Sequence, residues 1–214
     1  TNYFVSQLIA AGINYDTNYF ELIFSDCVSK LGIKNAYSKV IYPMMARIGL
    51  LWATDSLPNA HEHFISNIIR QKLLAFLNSL DAPDPSSECW VLFLPENEFH
   101  EIGLIYAQLV IRLLGKKVIY LGSNLSIDSV IPVINQIKPQ YLLLFLVHYD
   151  LPEQIQKCLD KLSSSFNGTK IYLAGNTKLI DQINLNDNTE YLQSVESLAA
   201  ILKSSTKLNT YNTI

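Results

Sequence analysis

One short stretch of the chain combines residue types that bind metals. Residues 95–103 read Pro-Glu-Asn-Glu-Phe-His-Glu-Ile-Gly, so Glu98 lies two residues before His100 and Gly103 three residues after it. A neutral imidazole binds a metal ion through one ring nitrogen, and a carboxylate that accepts a hydrogen bond from the other nitrogen raises its basicity. Gly103 would let the backbone approach a large flat ligand. The alternative is that His100 and Glu101 simply begin a surface helix, with Glu98 near its positive end.

Residues 1–82, which precede this stretch, are predicted to be helical throughout. Apolar residues recur at three- and four-residue steps between positions 19 and 31, and Asp16 is suited to cap the start of that helix and Gly32 to end it. Three further helices are predicted at about 4–11, at 40–52 and from Pro58 to about 80, after a break at 55–58. Pro43 should kink the second of these or mark a late start. The prediction is a four-helix bundle.

Residues 83–87, within a stretch that holds two prolines, are the predicted linker to a second domain at 88–214. Short apolar runs there indicate strands at 90–94, 118–121, 141–147, 171–174 and, more weakly, 191–192. Helical stretches lie between and after them, at about 100–115, 126–137, 151–165, 176–184 and 194–204. This alternation predicts an α/β fold, a flavodoxin-like doubly wound sheet of five parallel strands. Ligands bind such sheets beyond the strand ends, where the loop with His100 lies.

Composition excludes several classes of protein. Charged residues make up 16% of the chain and the net charge is −3, without a basic cluster, so this piece is not expected to hold nucleic acid. No apolar run has the ~20 residues of a membrane span, and we expect a cytoplasmic protein. Three scattered cysteines argue against a disulfide framework or a zinc site. Because the first residue is threonine, we expect that the N-terminal part of a longer protein is missing.

The loop after the first predicted strand resembles that of the cobalamin-binding domain family, whose signature is Asp-x-His-x-x-Gly. Glu98 stands at the aspartate position, and His100 and Gly103 match. The resemblance implies that His100 displaces the nucleotide base of cobalamin and binds the cobalt from below. It also places cofactor contacts at the ends of later strands, and for these we take Ser123, Val147 and Gly175.

The helical part resembles the cap of light-responsive MerR-type transcriptional regulators, of the CarH/LitR-like kind. Their Trp-x9-Glu-His motif matches Trp52, Glu62 and His63. The resemblance implies that these residues line the upper face of adenosylcobalamin, where a tryptophan face suits stacking and a carboxylate suits ribose hydroxyls. Taken singly, Trp52 could equally be a core residue, Glu62 a residue that complements a helix dipole, and His63 a solvated side chain.

Two positions depart from these families. Phe145 replaces a serine that, with a following leucine, makes room for the nucleotide tail of cobalamin, so the tail pocket is expected to be partly closed. Ala53 follows the tryptophan, where the light-responsive regulators can have a second cobalt-ligating histidine. His61 or His63 would have to substitute for it, which weakens light sensing more than cobalamin binding.

The resemblance implies a non-enzymatic sensor, the effector part of a MerR-type transcription regulator that is potentially a photoreceptor. Its cofactor would be cobalamin, adenosylcobalamin in preference to methylcobalamin. Its partners would be copies of itself, and DNA only through the missing N-terminal domain, with no membrane. Two alternatives stay open: a corrinoid methyl-carrier protein of a methyltransferase system, and a degenerate module of the same fold without cobalamin.

Overall fold

A computed structural model describes residues 1–54, 56–147, 152–166, 168–194 and 197–202. The chain divides into two compact units, Thr1–Lys72 and Leu73–Ile214. This division falls inside the fourth helix, whereas the predicted linker at 83–87 lies in the irregular segment that follows that helix. The domain boundaries drawn from the sequence stay predictions. No helix in the described ranges is long and apolar enough to cross a membrane.

The first unit consists of helices. They are α1 (Asn2–Ile13), α2 (Thr17–Ala36), a π-helical turn (Tyr37–Ile41), α3 (Tyr42–Ala53) and α4 (Asn59–Asn78), which extends into the second unit. As predicted, the Asp16 carboxylate caps α2 by accepting a hydrogen bond from the backbone N–H of Tyr19, at 2.9 Å. Gly32 interrupts α2 with φ 71° and ψ 154°. The predicted helix end at Gly32 is therefore a local break, after which α2 continues to Ala36. Pro43 stands in the first turn of α3 and marks the late start.

The helices of the first unit pack closely through small and apolar residues. α1 packs against α2 and α3. A Cβ atom at Gly12 would lie 2.3 Å from Ile65 Cδ1, so a glycine is needed where α1 meets α4. Fully buried side chains come from every helix and confirm the amphipathic pattern, among them Leu8, Phe20, Val40, Met44, Ile48, Ile65 and Ile69. Asp55, in the predicted break, lies outside the described residues.

The second unit is the predicted parallel sheet. Its strands are β1 (Cys89–Pro95), β2 (Lys117–Leu125), β3 (Tyr141–Leu146), β4 (Lys170–Gly175) and β5 (Thr189–Leu192), in the order β2-β1-β3-β4-β5. Its helices are α5 (Glu101–Leu113), α6 (Ile127–Ile137), α7 (Pro152–Ser165) and α8 (Thr177–Ile180), and residues 197–202 are also helical. The fold class is therefore confirmed, and α8 is shorter than predicted. Parts of two predicted helices, at 151, 195–196 and 203–204, lie outside the described residues.

The sheet is buried on both faces, which explains the continuous apolar runs. Every residue of β1 is buried, with α5 packed against β1, β2 and β3, and with α6, α7 and α8 around the apolar cluster of the sheet. Trp90 stacks on Tyr141 and Tyr172, at ring-centroid distances of 4.4 and 5.6 Å. Burial raises the pKa of Tyr172 to about 12, with smaller contributions from Glu190 and other groups.

Candidate functional site

The site is built on the loop between β1 and α5. β1 ends at Pro95, and His100 is the N-cap residue of α5. Asn97 adopts a left-handed conformation, φ 67°, which turns the chain so that Glu98 points inward. Glu98 is fully buried, whereas the His100 side chain is 54% exposed. A short loop thus presents an accessible imidazole beside a carboxylate shielded from water.

Within the described ranges, four donor groups lie at hydrogen-bond distance from the Glu98 carboxylate. Oε1 accepts from the backbone N–H groups of Phe99, at 3.0 Å, and His100, at 3.1 Å, and lies 2.5 Å from His100 Nδ1. Oε2 accepts from the backbone N–H of Val147, at 2.8 Å. A carboxylate oxygen that already receives two backbone N–H groups acts as an acceptor, so Nδ1 is the donor. In the neutral ring the lone pair is then on Nε2, the nitrogen suited to a metal.

Gly103 serves a packing role that the sequence did not indicate. A Cβ atom there would lie 2.8 Å from Phe145 Cε1 and 3.0 Å from its Cδ1, so the aromatic ring rests against the first turn of α5. The missing side chain makes room for Phe145, one of the residues of β3. The predicted close approach of a ligand to Gly103 remains a prediction, and so does the partial closure of the tail pocket by Phe145.

The other predicted positions in this unit lie at or near the same edge of the sheet. Val147 directly follows β3 and contributes its backbone N–H to Glu98. Gly175 ends β4 beside Leu146, with φ 131°, and a Cβ atom there would lie 2.0 Å from the Leu146 carbonyl oxygen. Ser123 was placed after the second strand, but it lies within β2, which continues to Leu125. Val147 is thus bonded to Glu98, and Glu98 in turn is bonded to His100.

The predicted residues of the first unit lie in two helices. Trp52 is in the last turn of α3 and is 46% exposed. Glu62 is in the first turn of α4, with its Oε2 3.6 Å from His63 Nδ1, which is too long for a hydrogen bond. His63 is largely exposed. The His61 ring lies beside that of Tyr15, with 4.6 Å between the ring centroids and the planes tilted by 30°. Its Nδ1 is buried without a hydrogen-bond partner in the described part of the chain.

Two residues at the site were missed by the sequence reasoning. Phe99 is 63% exposed directly before His100, and with the 38% exposed Val147 it adds apolar surface to the site. Asn124 accepts a hydrogen bond from the backbone N–H of Asn97, at 3.0 Å. Phe99 could have been suspected from its place beside the histidine, but nothing in the sequence links Asn124 to a loop 27 residues earlier.

Comparison with known proteins supports the resemblance drawn from these motifs. Residues 5–76 match the family described as B12 binding domain. The chain is 25% identical over 170 residues to the HTH-type transcriptional repressor CarH of Myxococcus xanthus, covering 79% of this chain and 56% of that protein. It is 23% identical over 138 residues to the repressor CarA of the same organism, covering 64% of this chain and 46% of that protein. The chain thus spans about half the length of the curated relatives it matches.

A solved structure with the same fold is that of a corrinoid protein. The monomethylamine corrinoid protein of Methanosarcina barkeri superposes with a TM-score of 0.71 at 14% identity, covering 92% of this chain and 96% of that one. At this identity the likeness concerns the fold alone. The family match and the two repressors, rather than this structure, confirm the resemblance of the chain to light-responsive regulators, and the roles of the individual residues stay predictions. Residues 5–76 therefore match the family described as B12 binding domain, and the chain is similar over 79% of its length to the repressor CarH.

Proposed function

We propose that this chain binds a cobalamin and that Nε2 of His100 is the lower ligand of the cobalt. The observation that carries the proposal is the 2.5 Å contact between the buried Glu98 carboxylate and His100 Nδ1. A corrin ring supplies four nitrogens to its own cobalt, so the protein need add only an axial ligand. An imidazole whose second nitrogen is held by a carboxylate suits that task. When bound, cobalamin supplies a carbon–cobalt bond that light can break.

The surface around His100 suits a large, partly apolar ligand. Two residues whose backbone N–H groups bind Glu98, Phe99 and Val147, expose their apolar side chains. Exposed apolar side chains grouped at one place often mark a binding surface. The site also lies at the carboxyl end of β1, between β2 and β3, which is the switch point of the sheet. Polar and apolar features therefore both favour a flat ligand seated on His100.

The proposal extends to the first unit, where Trp52, Glu62 and His63 would contact the upper ligand. Two observations support this proposal: the match to the Trp-x9-Glu-His motif and the exposure of Trp52. If Trp52 were a core residue, its side chain would be buried. Adenosylcobalamin is the favoured form because its adenosyl group offers a ring to Trp52 and ribose hydroxyls to Glu62. Methylcobalamin is the second form to test.

In the whole protein, we propose that this chain is the effector part of a MerR-type repressor, without catalytic activity. The support is the similarity to CarH, which is named as an HTH-type transcriptional repressor. Cobalamin would change the association of copies of the chain, and an N-terminal domain outside this sequence would bind DNA. Adenosylcobalamin should assemble the chain in the dark and light should reverse this. Identical size-exclusion profiles in the dark and after illumination would exclude a light response.

Titration of the apo-protein with adenosylcobalamin and methylcobalamin tests cobalt ligation. The visible spectrum should shift to the form in which the nucleotide base has left the cobalt and a histidine has replaced it. His100→Ala should lose that shift, and Glu96→Gln, a change at an exposed residue of the same loop, should keep it. No shift with the unaltered chain would refute cobalamin binding. A full shift with His100→Ala would refute the ligand assignment.

The role of Trp52 has its own readout because the chain contains two tryptophans. Trp90 is fully buried in β1, and its Nε1 makes no hydrogen bond in the described part of the chain, so Trp90→Phe removes no such bond. In that variant Trp52 is the only tryptophan. With excitation that selects tryptophan over tyrosine, a corrin in contact with Trp52 should quench most of the signal. Quenching that reaches saturation with the spectral shift supports the contact. A shift without quenching would remove Trp52 from the site.

One observation favours a second candidate, a module that has this fold but no cobalamin. The ring of Phe145 fills the space against Gly103, where the resemblance implies that the nucleotide tail should pass. Cobinamide, which lacks the nucleotide, separates the possibilities. If cobinamide binds and cobalamin does not, and Phe145→Ser restores cobalamin binding, the tail pocket is closed by the ring. If neither corrinoid binds to either protein, the second candidate is correct.

A further inference from the structure

The carboxyl end of β2 is irregular in a way that brings Asn124 to the loop of His100. β1 and β2 pair with two register shifts: Leu92 lies opposite Tyr120, but Phe93 lies opposite Gly122 and Pro95 opposite Leu125. The extra residues of β2 form bulges, and Asn124 adopts the left-handed conformation there, with φ 59°. Asparagine tolerates this conformation better than most residues. The bulge thus turns Asn124 out of the regular ladder.

Asn124 makes two hydrogen bonds to successive residues of the β1–α5 loop. Its side-chain Oδ1 accepts from the backbone N–H of Asn97, at 3.0 Å, and its own backbone N–H donates to the carbonyl oxygen of Glu98, at 3.2 Å. These two bonds hold the Glu96–Asn97 and Glu98–Phe99 peptide groups, one before and one after the Asn97–Glu98 segment that carries the Glu98 side chain. Asn97 is itself left-handed, so the loop has an unusual backbone conformation at the point where Asn124 binds it.

The connection from Asn124 to His100 passes through one side chain. Glu98 is fully buried, and the same Oε1 that accepts from two backbone N–H groups also holds His100 Nδ1. A rotation of the Glu98 peptide would carry this oxygen away from the imidazole. The His100 side chain is 54% exposed and makes no capping hydrogen bond at the start of α5, so the contact with Glu98 is a defined restraint on its ring. The position of Glu98 in turn depends on the loop backbone.

We propose that Asn124 is a positioning residue for His100: its side-chain oxygen holds the Asn97–Glu98 backbone and thereby orients the imidazole toward a ligand. For a cobalt ligand the inference rests on the proposed function, which it deepens by adding a residue from the neighbouring strand. The two candidate roles of Asn124, general stability of the unit and orientation of His100, predict different results for conservative variants.

Two substitutions separate the side-chain oxygen from the backbone conformation. Asn124→Gly tolerates φ 59° and retains the backbone N–H bond to Glu98, but it lacks the acceptor for the Asn97 N–H. Asn124→Asp retains an acceptor oxygen and should rescue the site. Lys138→Gly is the matched control, because Lys138 is also left-handed, at φ 51°, and is exposed at the end of α6.

The first readout is the histidine-bound spectrum with hydroxocobalamin. Loss of one hydrogen bond should weaken binding by about two- to tenfold in Asn124→Gly, while Asn124→Asp and Lys138→Gly match the unaltered chain. The apo-proteins of Asn124→Gly and Lys138→Gly should unfold at similar temperatures. If the role of Asn124 were merely structural, Asn124→Gly would unfold at a lower temperature than Lys138→Gly. Unchanged binding in Asn124→Gly, or equal losses in Asn124→Gly and Asn124→Asp, would overturn the proposal.

The second readout needs no cofactor, so it stands if cobalamin binding itself fails. In apo-protein labelled with ¹⁵N-histidine, the Nδ1 proton held between His100 and Glu98 should exchange slowly with water. Exchange should become at least several-fold faster in Asn124→Gly and recover in Asn124→Asp. Equal exchange rates in the unaltered chain and Asn124→Gly would refute the positioning role. Absence of any spectral shift with the unaltered chain would instead refute the proposed function.

Discussion

The replacement Glu98→Gln tests the hydrogen-bond set at the centre of the site. Glutamine retains the size of the side chain, and its oxygen can take the place of Oε1 and still accept from the backbone N–H groups of Phe99 and His100. Its NH2 group then faces the N–H of Val147, so two buried donors meet. Leaving the buried Val147 N–H unpaired costs about 1–3 kcal/mol. If the amide is turned the other way, its NH2 group takes the place of Oε1 and all three hydrogen bonds at that position are lost. We expect the free energy of unfolding of the second unit to fall by that amount.

The same change should weaken the proposed metal site. A neutral amide oxygen accepts more weakly than a carboxylate, since charge-assisted hydrogen bonds are about twice as strong as neutral ones. Changes to the residue that supports a metal-bound histidine commonly cost about 10- to 100-fold in affinity. Binding of methylcobalamin with a histidine-bound spectrum should therefore fall by at least about tenfold in Glu98→Gln.

The assay uses the fluorescence of one tryptophan. In a Trp52→Phe background, Trp90 in β1 alone reports urea unfolding of the second unit. Glu96→Gln is the control, and as an exposed change it should stay within about 0.5 kcal/mol of the background protein. If the unfolding curves of Glu98→Gln and Glu96→Gln coincide, the four-donor arrangement around Glu98 is wrong.

Three further predictions concern packing and pH. Gly103→Ala should destabilise the second unit by about 1–3 kcal/mol because its Cβ meets the Phe145 ring, and in urea titrations Phe145→Ala should abolish most of that cost. Gly175→Ala should cost about 3 kcal/mol or more, since φ is 131° and the Cβ meets the rigid Leu146 carbonyl, and a soluble variant with an unchanged midpoint would contradict this. The raised pKa of Tyr172 stabilises the fold below its ordinary value of 10.0, so stability should decline as the pH rises from 10 toward 12, and Tyr172→Phe should remove this contribution in urea titrations at each pH.

The elements that depend on repeated apolar patterns could be predicted from the sequence. The run at 90–94 is apolar throughout because β1 is covered on both faces, and the other strands follow the same logic. Asp16 was identified as a cap because its side chain can accept from a backbone N–H three residues later, a local effect. His100 was chosen as a candidate ligand because residue types that bind metals stand close together in one loop, and its contact with Glu98 follows from that local spacing.

Features that depend on contacts between distant segments could not be predicted. β2 extends to Leu125 through Gly122, Ser123 and Asn124, whose polar, turn-like composition indicated a loop. The backbone N–H of Val147 reaches Glu98 from a residue 49 positions away, and no side-chain pattern reports a backbone donor. Gly103 was assigned to ligand approach, but its neighbour is Phe145, which only the paired strands and α5 bring to it.

The bulges of β2 have a consequence for solubility. β2 is one of the two outer strands of the sheet, and β1 is its only strand neighbour among the described residues. A regular outer strand offers unpaired backbone groups to which another chain can add. The register shifts opposite Phe93 and Pro95, and the positive φ angles of Gly122 and Asn124, disrupt the even spacing that such pairing requires. The irregularity that brings Asn124 to the His100 loop therefore also makes this edge a poor template for intermolecular β-pairing and aggregation.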